Sequence, residues 1–145
     1  MKTLFFSISF LAVLFVCAGS VPAATVEHDP DQNGSTDQIV YYEDNGHNVK
    51  MAADTNEDGR FDFFQYYEND QPVRIEQDID FDGRVDTRDF LKDGKRTRQE
   101  EHCRKTGRIV SVIHFDAGER PAQIQQDTNG DGQMDTIRTF QKGML

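Results

Sequence analysis

The sequence has no tryptophan, and it has only two cysteines and four prolines among its 145 residues. Because Cys17 lies in an apolar N-terminal segment that we expect to be removed, Cys103 is left alone and no intrachain disulfide is predicted. No second long apolar run follows residues 4–18, so no membrane span is expected in the remaining chain. Positive charge is also scarce: 16 Lys and Arg against 26 Asp and Glu give a net charge of −10, which argues against a nucleic-acid-binding protein.

The first 23 residues have the composition of a secretory signal peptide. Lys2 supplies the positive charge, residues 4–18 are apolar but too short to cross a bilayer comfortably, and small residues follow as cleavage sites. A membrane anchor is the competing interpretation. We therefore expect a secreted or periplasmic protein from which residues 1–23 are removed, leaving residues 24–145 as a single domain.

A repeat of 24 or 25 residues runs through this domain. One set of glycines follows this spacing, and an independent set of turn signals follows it as well. The glycines are Gly34, Gly59, Gly83, Gly107 and Gly132, and the turn signals are DNG (44–46), ND (69–70), DG (93–94), AG (117–118) and KG (142–143).

Each repeat reads as a β-hairpin. The segment before the turn signal is rich in aromatic and β-branched residues, as in FDFFQYYE (61–68), and the segment after it alternates apolar and polar residues, as at Val73 and Ile75. Asn-Gly and Asp-Gly favour two-residue hairpin turns because both central residues need positive φ. One column of the first strands is always apolar: Tyr42, Tyr67, Leu91, Phe115 and Phe140.

The predicted fold is all-β, an antiparallel meander of about five 24-residue hairpin repeats. A sheet of nine or ten strands usually curls or closes, so an open or solenoid-like sheet and a closed up-and-down barrel both remain open. Closure would pair TVEH (25–28) with the last strand, near Phe140. Apolar residues on both faces of the strand around Phe64 and Tyr66 predict a second packed layer, a self-association surface or a bulge.

Nine-residue loops join the hairpins, and we number them 1 to 5: DPDQNGSTD (29–37), DTNEDGRFD (54–62), DIDFDGRVD (78–86), HCRKTGRIV (102–110) and DTNGDGQMD (127–135). Four of them place carboxylates or amides at positions 1, 3, 5 and 9, with glycine at position 6 and a backbone carbonyl available at position 7. This is a set of oxygen ligands that suits Ca²⁺.

Carboxylates at this density repel one another unless a cation offsets the repulsion, which favours a calcium site over plain Asp and Asn turns, the competing interpretation. The predicted calcium ligands are Asp54, Asn56, Asp58, Arg60 (carbonyl) and Asp62 in loop 2; Asp78, Asp80, Asp82, Arg84 (carbonyl) and Asp86 in loop 3; Asp127, Asn129, Asp131, Gln133 (carbonyl) and Asp135 in loop 5; and Asp29, Asp31, Asn33, Ser35 (carbonyl) and Asp37 in loop 1.

The pattern D-x-[DN]-x-[DN]-G-x-x-D resembles an EF-hand loop, but it lacks the glutamate at position 12 and the flanking helices. It is more similar to the calcium loops of integrin-type FG-GAP β-propellers, which also lie between strands. The hairpins, such as YYEDNG (41–46), weakly resemble the YD repeats of bacterial surface proteins. The first two resemblances imply calcium coordination, and none of the three implies an enzyme.

Loop 4 departs from the pattern, and the surrounding segment 92–108 is basic. Either the repeat has drifted and its basic residues pair with neighbouring Asp side chains, or the segment binds an anionic partner such as a surface polysaccharide. Cys103 lies there beside His102, where positive charge would lower its pKa. The basic residues are Lys92, Lys95, Arg96, Arg98, Arg104, Lys105 and Arg108.

No sequence around a serine, cysteine or histidine matches a catalytic motif, so we do not expect an enzyme. The sequence predicts an exported calcium-binding repeat protein with a structural or interaction role. Two alternatives stay open. One is a metal-independent adhesion or binding module that uses the basic segment 92–108 or exposed aromatics; the other is a calcium-responsive accessory of an enzyme.

Overall fold

The computed structural model describes residues 24–140. Within this range the chain forms ten strands and no helix, so no helix there is long and apolar enough to cross a membrane. The strands are β1 (Ala24–His28), β2 (Gln38–Tyr42), β3 (Asn48–Ala53), β4 (Phe63–Glu68), β5 (Gln71–Gln77), β6 (Thr87–Lys92), β7 (Lys95–His102), β8 (Ile109–Phe115), β9 (Pro121–Gln126) and β10 (Thr136–Thr139).

Every strand pairs antiparallel with its neighbours in sequence, and the ten strands form one sheet in the order β1 to β10. The predicted all-β meander is confirmed. Of the two predicted arrangements the open sheet is confirmed, with β1 paired to β2 and β10 paired to β9, and the alternative of barrel closure through TVEH is wrong.

The register explains why the sheet stays open. One row of paired residues crosses all ten strands from Glu27 to Ile137, and it meets each strand at the same place in the repeat. The strands therefore lie level with one another. A barrel needs a cumulative stagger between its strands, and repeats of nearly constant length do not build one up.

A β-bulge recurs next to the hairpin turns, with its extra residue on the strand that follows the turn. The pairing shifts between Tyr66 and Tyr67, which leaves Val73 as the extra residue on β5, and equivalent shifts occur in three other hairpins. Of the three explanations for apolar residues on both faces, the bulge is present, and residues 24–140 contain no second layer. Bulges of this kind locally increase the twist of the strand pair.

The tight turns differ in length. Asn69 and Asp70 both have positive φ (50° and 58°), as expected for a two-residue turn, and Asp93 and Gly94 behave alike. The DNG turn is instead a three-residue connection, closed by a hydrogen bond from the Glu43 N–H to the His47 carbonyl at 2.9 Å. The prediction of a two-residue turn there is wrong, because Gly46 alone takes the left-handed conformation.

The sheet has almost no hydrophobic core. In the described chain only two hydrophobic residues are buried, Ala52 (1% exposed) and Val112 (6%), because both faces of a single layer meet solvent. Apolar residues such as Met51 and Ile113 are only half-buried on one face. The stability of such a sheet depends on side-chain pairs between neighbouring strands.

The opposite face, here called the cationic face, carries a polar row between β4 and β7. The buried Glu76 accepts hydrogen bonds from the Tyr66 hydroxyl (3.0 Å) and from Arg88 Nε (2.6 Å). Arg88 also lies 3.5 Å from Glu100, which is bonded to Arg98. Burial by itself raises the pKa of Glu76, but the bonds from Arg88 and Tyr66 outweigh it and hold the pKa below its usual value.

Cations cover the aromatic rings of this face. Lys50 Nζ lies 4.7 Å from the Phe64 ring centre, and the Arg74 guanidinium lies 3.9 Å from that of Tyr66. Such contacts keep the charged groups hydrated while their alkyl stems cover apolar surface. The cationic face is therefore held by paired charges and rings rather than by burial.

Replacing Glu76 tests the role of the polar row. We expect Glu76→Ala to lower the free energy of unfolding by about 2 kcal/mol, because Arg88 and the Tyr66 hydroxyl lose their partner. Urea denaturation measures the change. Glu68→Ala is the matched control, since Glu68 is exposed at the end of β4. Equal effects of the two substitutions would contradict the role given to Glu76.

Acid should weaken the same row. A carboxyl group whose pKa is depressed by folding contributes stability above its unfolded pKa and loses it as the pH falls through the folded value. The Glu76 contribution should therefore begin to fall as the pH drops below the unfolded pKa of about 4.3, and it should be lost once the pH is below the folded pKa. Urea denaturation between about pH 6 and pH 3 should show a shallower acid-side loss for Glu76→Gln than for the unaltered protein. Parallel curves would rule this out.

Candidate metal centre

The loops lie side by side along one edge of the sheet, opposite the tight turns. Across each acidic loop the last residue bonds back to the preceding strand, as when the Asp62 N–H donates to the Ala53 carbonyl at 2.9 Å. Within each hairpin the ends of successive loops are joined: the Asp54 N–H donates to the Asp37 carbonyl and the Asp78 N–H to the Asp62 carbonyl, both at 2.8 Å. This ladder aligns the acidic positions of neighbouring loops.

The first carboxylate of each acidic loop accepts backbone N–H groups from the loop itself. In loop 2, Asp54 Oδ1 accepts from Glu57 (2.8 Å) and Asp54 Oδ2 accepts from Gly59 (2.7 Å). The ninth residue, Asp62, closes the other side by accepting the Thr55 N–H at 2.9 Å. The remaining acidic loops repeat the bond from the glycine at position 6, so these loops fold around their own carboxylates.

Two positions of each acidic loop are left-handed. The glycine at position 6 was expected, and Gly59 has φ +87° with open space around its Cα, so only the backbone conformation selects glycine. The residue at position 4 is also left-handed, at Gln32, Glu57 and Phe81 (φ 60°, 63° and 61°). Only in loop 5 is position 4 a glycine, Gly130, so only there does the sequence itself indicate a left-handed residue at position 4.

Carboxylates at positions 1, 3 and 9 converge in loops 1 and 3. One oxygen from each of Asp29, Asp31 and Asp37, and one from each of Asp78, Asp80 and Asp86, lie within 4.8 Å of one another. Oxygens around one Ca²⁺ lie 2.3–2.6 Å from the ion, hence less than about 5 Å apart, so both trios have a suitable spacing.

Loop 3 contains the more enclosed trio. Asp78 is 7% exposed and Asp86 is 9% exposed. Asp80 Oδ1 is buried and has no hydrogen-bond partner in the described structure. A buried carboxylate oxygen without a donor is costly, and a cation is the group that would satisfy it. The donor set of loop 3 therefore fits a hard divalent cation.

The other predicted ligands are placed differently. The residue at position 5 belongs to neither trio; in each acidic loop its side-chain oxygen accepts the N–H of position 7, as Asp82 does from Arg84 at 2.9 Å. Loops 2 and 5 have amides at position 3, Asn56 and Asn129. The acids at positions 1 and 9 of these loops therefore have no third carboxylate at position 3 between them. The bonds at position 5 fall to Asn33, Asp58, Asp82 and Asp131, and the residues at position 7 are Ser35, Arg60, Arg84 and Gln133.

The environment of loop 1 shifts the pKa values of two of its carboxyl groups in opposite directions. Partial desolvation raises the pKa of Asp37, and the negative charges of Asp31 and Asp29 raise it further. Asp29 has a lowered pKa: desolvation raises it, but N–H donors, led by Gly34, outweigh that effect. In this loop backbone N–H groups stabilise the ionised form of Asp29, whereas desolvation and the neighbouring acids destabilise the ionised form of Asp37.

The basic side chain of Arg104 extends from loop 4 to the trio of loop 3. Its Nε lies 3.0 Å from Asp80 Oδ2 and 3.9 Å from Asp86 Oδ1. In return, Arg84 Nη1 donates to the carbonyls of Arg104 (3.2 Å) and Lys105 (3.3 Å). This contact matches the interpretation in which basic residues of the drifted repeat pair with neighbouring Asp side chains.

Other residues of the basic segment are also bonded within the sheet. Arg96 pairs with Asp89, and Arg98 pairs with Glu100. Lys95 Nζ and Arg108 Nη1 donate to backbone carbonyls in the next repeat. Within the described structure, ion pairs to Lys92, Lys95, Lys105 and Arg108 are absent, so four of the seven basic residues carry a charge that no acidic side chain pairs.

Cys103 is a free, half-buried thiol at the start of loop 4. Its pKa is lowered first by a hydrogen bond from the Thr106 side chain and then by backbone N–H groups, with the charge of Lys105 a smaller cause. The predicted direction is confirmed, but the cause differs: hydrogen bonding inside the loop, rather than positive charge, accounts for most of the shift.

No protein-family model matches the chain, and no curated protein matches it. Among solved structures, it is similar to a crystal structure of accessory secretory protein 1,2 and 3 in Streptococcus pneumoniae, with a TM-score of 0.50, 22% identity, and coverage of 70% of this chain and 20% of that one.

Two structures of TarM are also similar: a mutant from S. aureus in complex with Fondaparinux, alpha-GlcNAc-glycerol and UDP (TM-score 0.49, 10% identity, 79% and 19% covered), and TarM itself (0.48, 12%, 79% and 19%). The chain spans about a fifth of the length of these proteins. At these identities the likeness concerns the fold alone.

Removing the first carboxylate of a loop tests whether it is the folding centre of that loop. We expect Asp54→Ala to lower the free energy of unfolding by about 2 kcal/mol even in chelator, because the backbone N–H groups of Glu57 and Gly59 lose their charged acceptor. Glu57→Gln is the control, since Glu57 lies in the same loop and is exposed. Urea denaturation in chelator compares them, and an unaffected Asp54→Ala would refute this role.

Proposed function

We propose that this chain is an exported calcium-binding β-repeat protein, in which Ca²⁺ in the acidic loops rigidifies the sheet for a structural or interaction role. One observation supports this most directly. In loop 3, the carboxylates of Asp78, Asp80 and Asp86 converge, and one oxygen of Asp80 is buried without a partner.

A calcium ion would neutralise negative charge in the loops. Repulsion between these charges matters more here than in a protein whose hydrophobic core supplies most of the stability. The net charge of −10 is concentrated in loops that the sheet aligns along one edge. The described residues bury only two hydrophobic side chains. If calcium binds the folded loops but not the unfolded chain, the free energy of binding adds to the stability of the fold.

The loops would not bind equally. Loops 1 and 3 offer three converging carboxylates, whereas loops 2 and 5 offer an amide at position 3. Loops 2 and 5 have their third acid at position 5, Asp58 and Asp131, where it does not join a converging trio. Fewer converging carboxylates give weaker calcium affinity. In this proposal Asp29, Asp31 and Asp37 hold one ion and Asp78, Asp80 and Asp86 another, and loops 2 and 5 fill at higher calcium concentration.

Export belongs to the same proposal and rests on the signal-like residues 1–23, which lie outside the described residues. Outside the cytoplasm calcium is abundant, so sites of modest affinity would be filled. Enzymatic activity is not part of the proposal, because the loop carboxylates are committed to repeated backbone bonds rather than to one acid–base pair.

A metal-independent binding module is the second candidate, and one observation favours it. The acidic loops are closed by their own hydrogen bonds, from the Gly59 N–H to Asp54 and from the Gly83 N–H to Asp78, each at 2.7 Å, which supports a fold that forms without an ion. Such a module would use the half-buried apolar face, the exposed aromatics or the basic segment 92–108 to bind a second copy, a protein or an anionic polysaccharide.

Calcium titration of the purified protein by calorimetry, with thermal melts in calcium and in chelator, separates the two functions. We expect binding of two to four ions and a higher melting temperature in calcium. Asp80→Asn should remove one of the tighter sites. Asp93→Asn, which removes the same charge at the opposite end of the sheet, should leave binding unchanged. No heat and no shift in melting temperature would sink the calcium proposal in favour of the second candidate.

A further inference from the structure

The cation that loop 3 holds in the structure comes from the chain itself. Arg104 Nε lies 3.0 Å from Asp80 Oδ2 and 3.9 Å from Asp86 Oδ1, and both acids belong to the trio that fits a divalent cation. Loop 4 has lost its own acids at positions 3, 5 and 9, where it carries Arg104, Thr106 and Val110. Position 3 of loop 4 therefore gives a cation to the neighbouring loop instead of an oxygen ligand to its own.

We propose that Arg104 is a tethered cation that a calcium ion must displace from loop 3, and that it thereby sets the calcium affinity of that loop. The inference rests on the calcium binding proposed above. It separates loop 3 from loop 1, whose trio has the same composition and no arginine partner among the described salt bridges.

The salt bridge from Arg104 to Asp80 is exposed enough for a calcium ion to replace the arginine. The Arg104 side chain is 66% exposed, whereas the side chains of Asp80 and Asp86 are 24% and 11% exposed, so the guanidinium lies at the mouth of the trio rather than inside it. It bonds Asp80 Oδ2 and leaves Oδ1 buried and without a partner. The exposed guanidinium neutralises only part of the negative charge of the trio. A smaller, doubly charged ion would neutralise more of it and would also bind the oxygen of Asp80 that has no partner.

The backbone of loop 4 keeps Arg104 near when it is displaced. Arg84, at position 7 of loop 3, donates to the carbonyls of Arg104 and Lys105 at 3.2 and 3.3 Å. The His102 N–H also donates to the Asp86 carbonyl at 2.8 Å. Because these bonds do not involve the Arg104 side chain, the guanidinium can leave the trio while the two loops remain joined.

Glycine amides give a separate readout for each loop. The Gly83 N–H donates to Asp78 Oδ2 at 2.7 Å and the Gly59 N–H donates to Asp54 Oδ2 at 2.7 Å, so each amide reports on an ion at its own loop. A calcium titration of the ¹⁵N-labelled protein by NMR therefore yields an apparent Kd for loop 3 from Gly83 and one for loop 2 from Gly59. Loop 2 is the internal reference.

Arg104→Ala should tighten the Kd from Gly83 by about fivefold, the factor that corresponds to ~1 kcal/mol, the upper range for a largely exposed ion pair. The Kd from Gly59 should not change. Lys105→Ala is the matched control, because it removes the same charge from the neighbouring position, which makes no ion pair in the described structure. Arg104→Gln, which keeps most of the side-chain volume, should behave like Arg104→Ala.

Each remaining outcome overturns a defined statement. If Gly83 responds to calcium but Arg104→Ala shifts its Kd no more than Lys105→Ala does, Arg104 does not set the affinity, and the calcium proposal stands. If neither Gly59 nor Gly83 responds in any variant, calcium binding fails and the role of Arg104 fails with it. Equal shifts at Gly59 and Gly83 would mean a general effect of net charge and would also overturn the inference.

Discussion

The sheet has one layer, and the rest of the structure follows from this constraint. With solvent on both faces, ten strands bury Ala52 and Val112 and no other hydrophobic residue of the described chain. The burial that normally offsets conformational entropy is therefore small, and directional contacts between neighbouring strands must make up the difference. Glu76, accepting from Arg88 and Tyr66 across two strand boundaries, is the clearest case.

The acidic loops, like the strands, are held by directional polar contacts rather than by burial. A nine-residue connection exposes several backbone N–H groups, and one aspartate at its start accepts those of positions 4 and 6 in loop 2. The same carboxylates then lie close enough in loops 1 and 3 to repel one another. A loop that folds around its own acids can also offer them to a cation. The turn and calcium interpretations are therefore compatible: the structure describes the closed loop, and the calcium-bound loop is the state that we propose.

Loop 4 shows a different way to neutralise such a group. It has no acidic trio, and its basic residues reach outward, Arg104 to the acids of loop 3 and Arg108 to the Asp131 carbonyl of loop 5. Regarded alone it is a degenerate repeat. Placed between two acidic loops it is a source of positive charge, and the divergence of one repeat changes the properties of its neighbours.

The sequence by itself determined the repeat, the hairpins and the loops, because each depends on contacts within about a dozen residues. Gly59 and Gly83 mark positions where a left-handed backbone is needed, and the acids around them mark the loop, so both are legible locally. Only the tertiary structure decided that the sheet stays open, because closure depends on a register that accumulates over ten strands. It also decided which charges meet: Arg88 with Glu76, 12 residues apart, and Arg104 with Asp80, 24 residues apart. The sequence shows the charges, but their partners follow from the lateral alignment of strands.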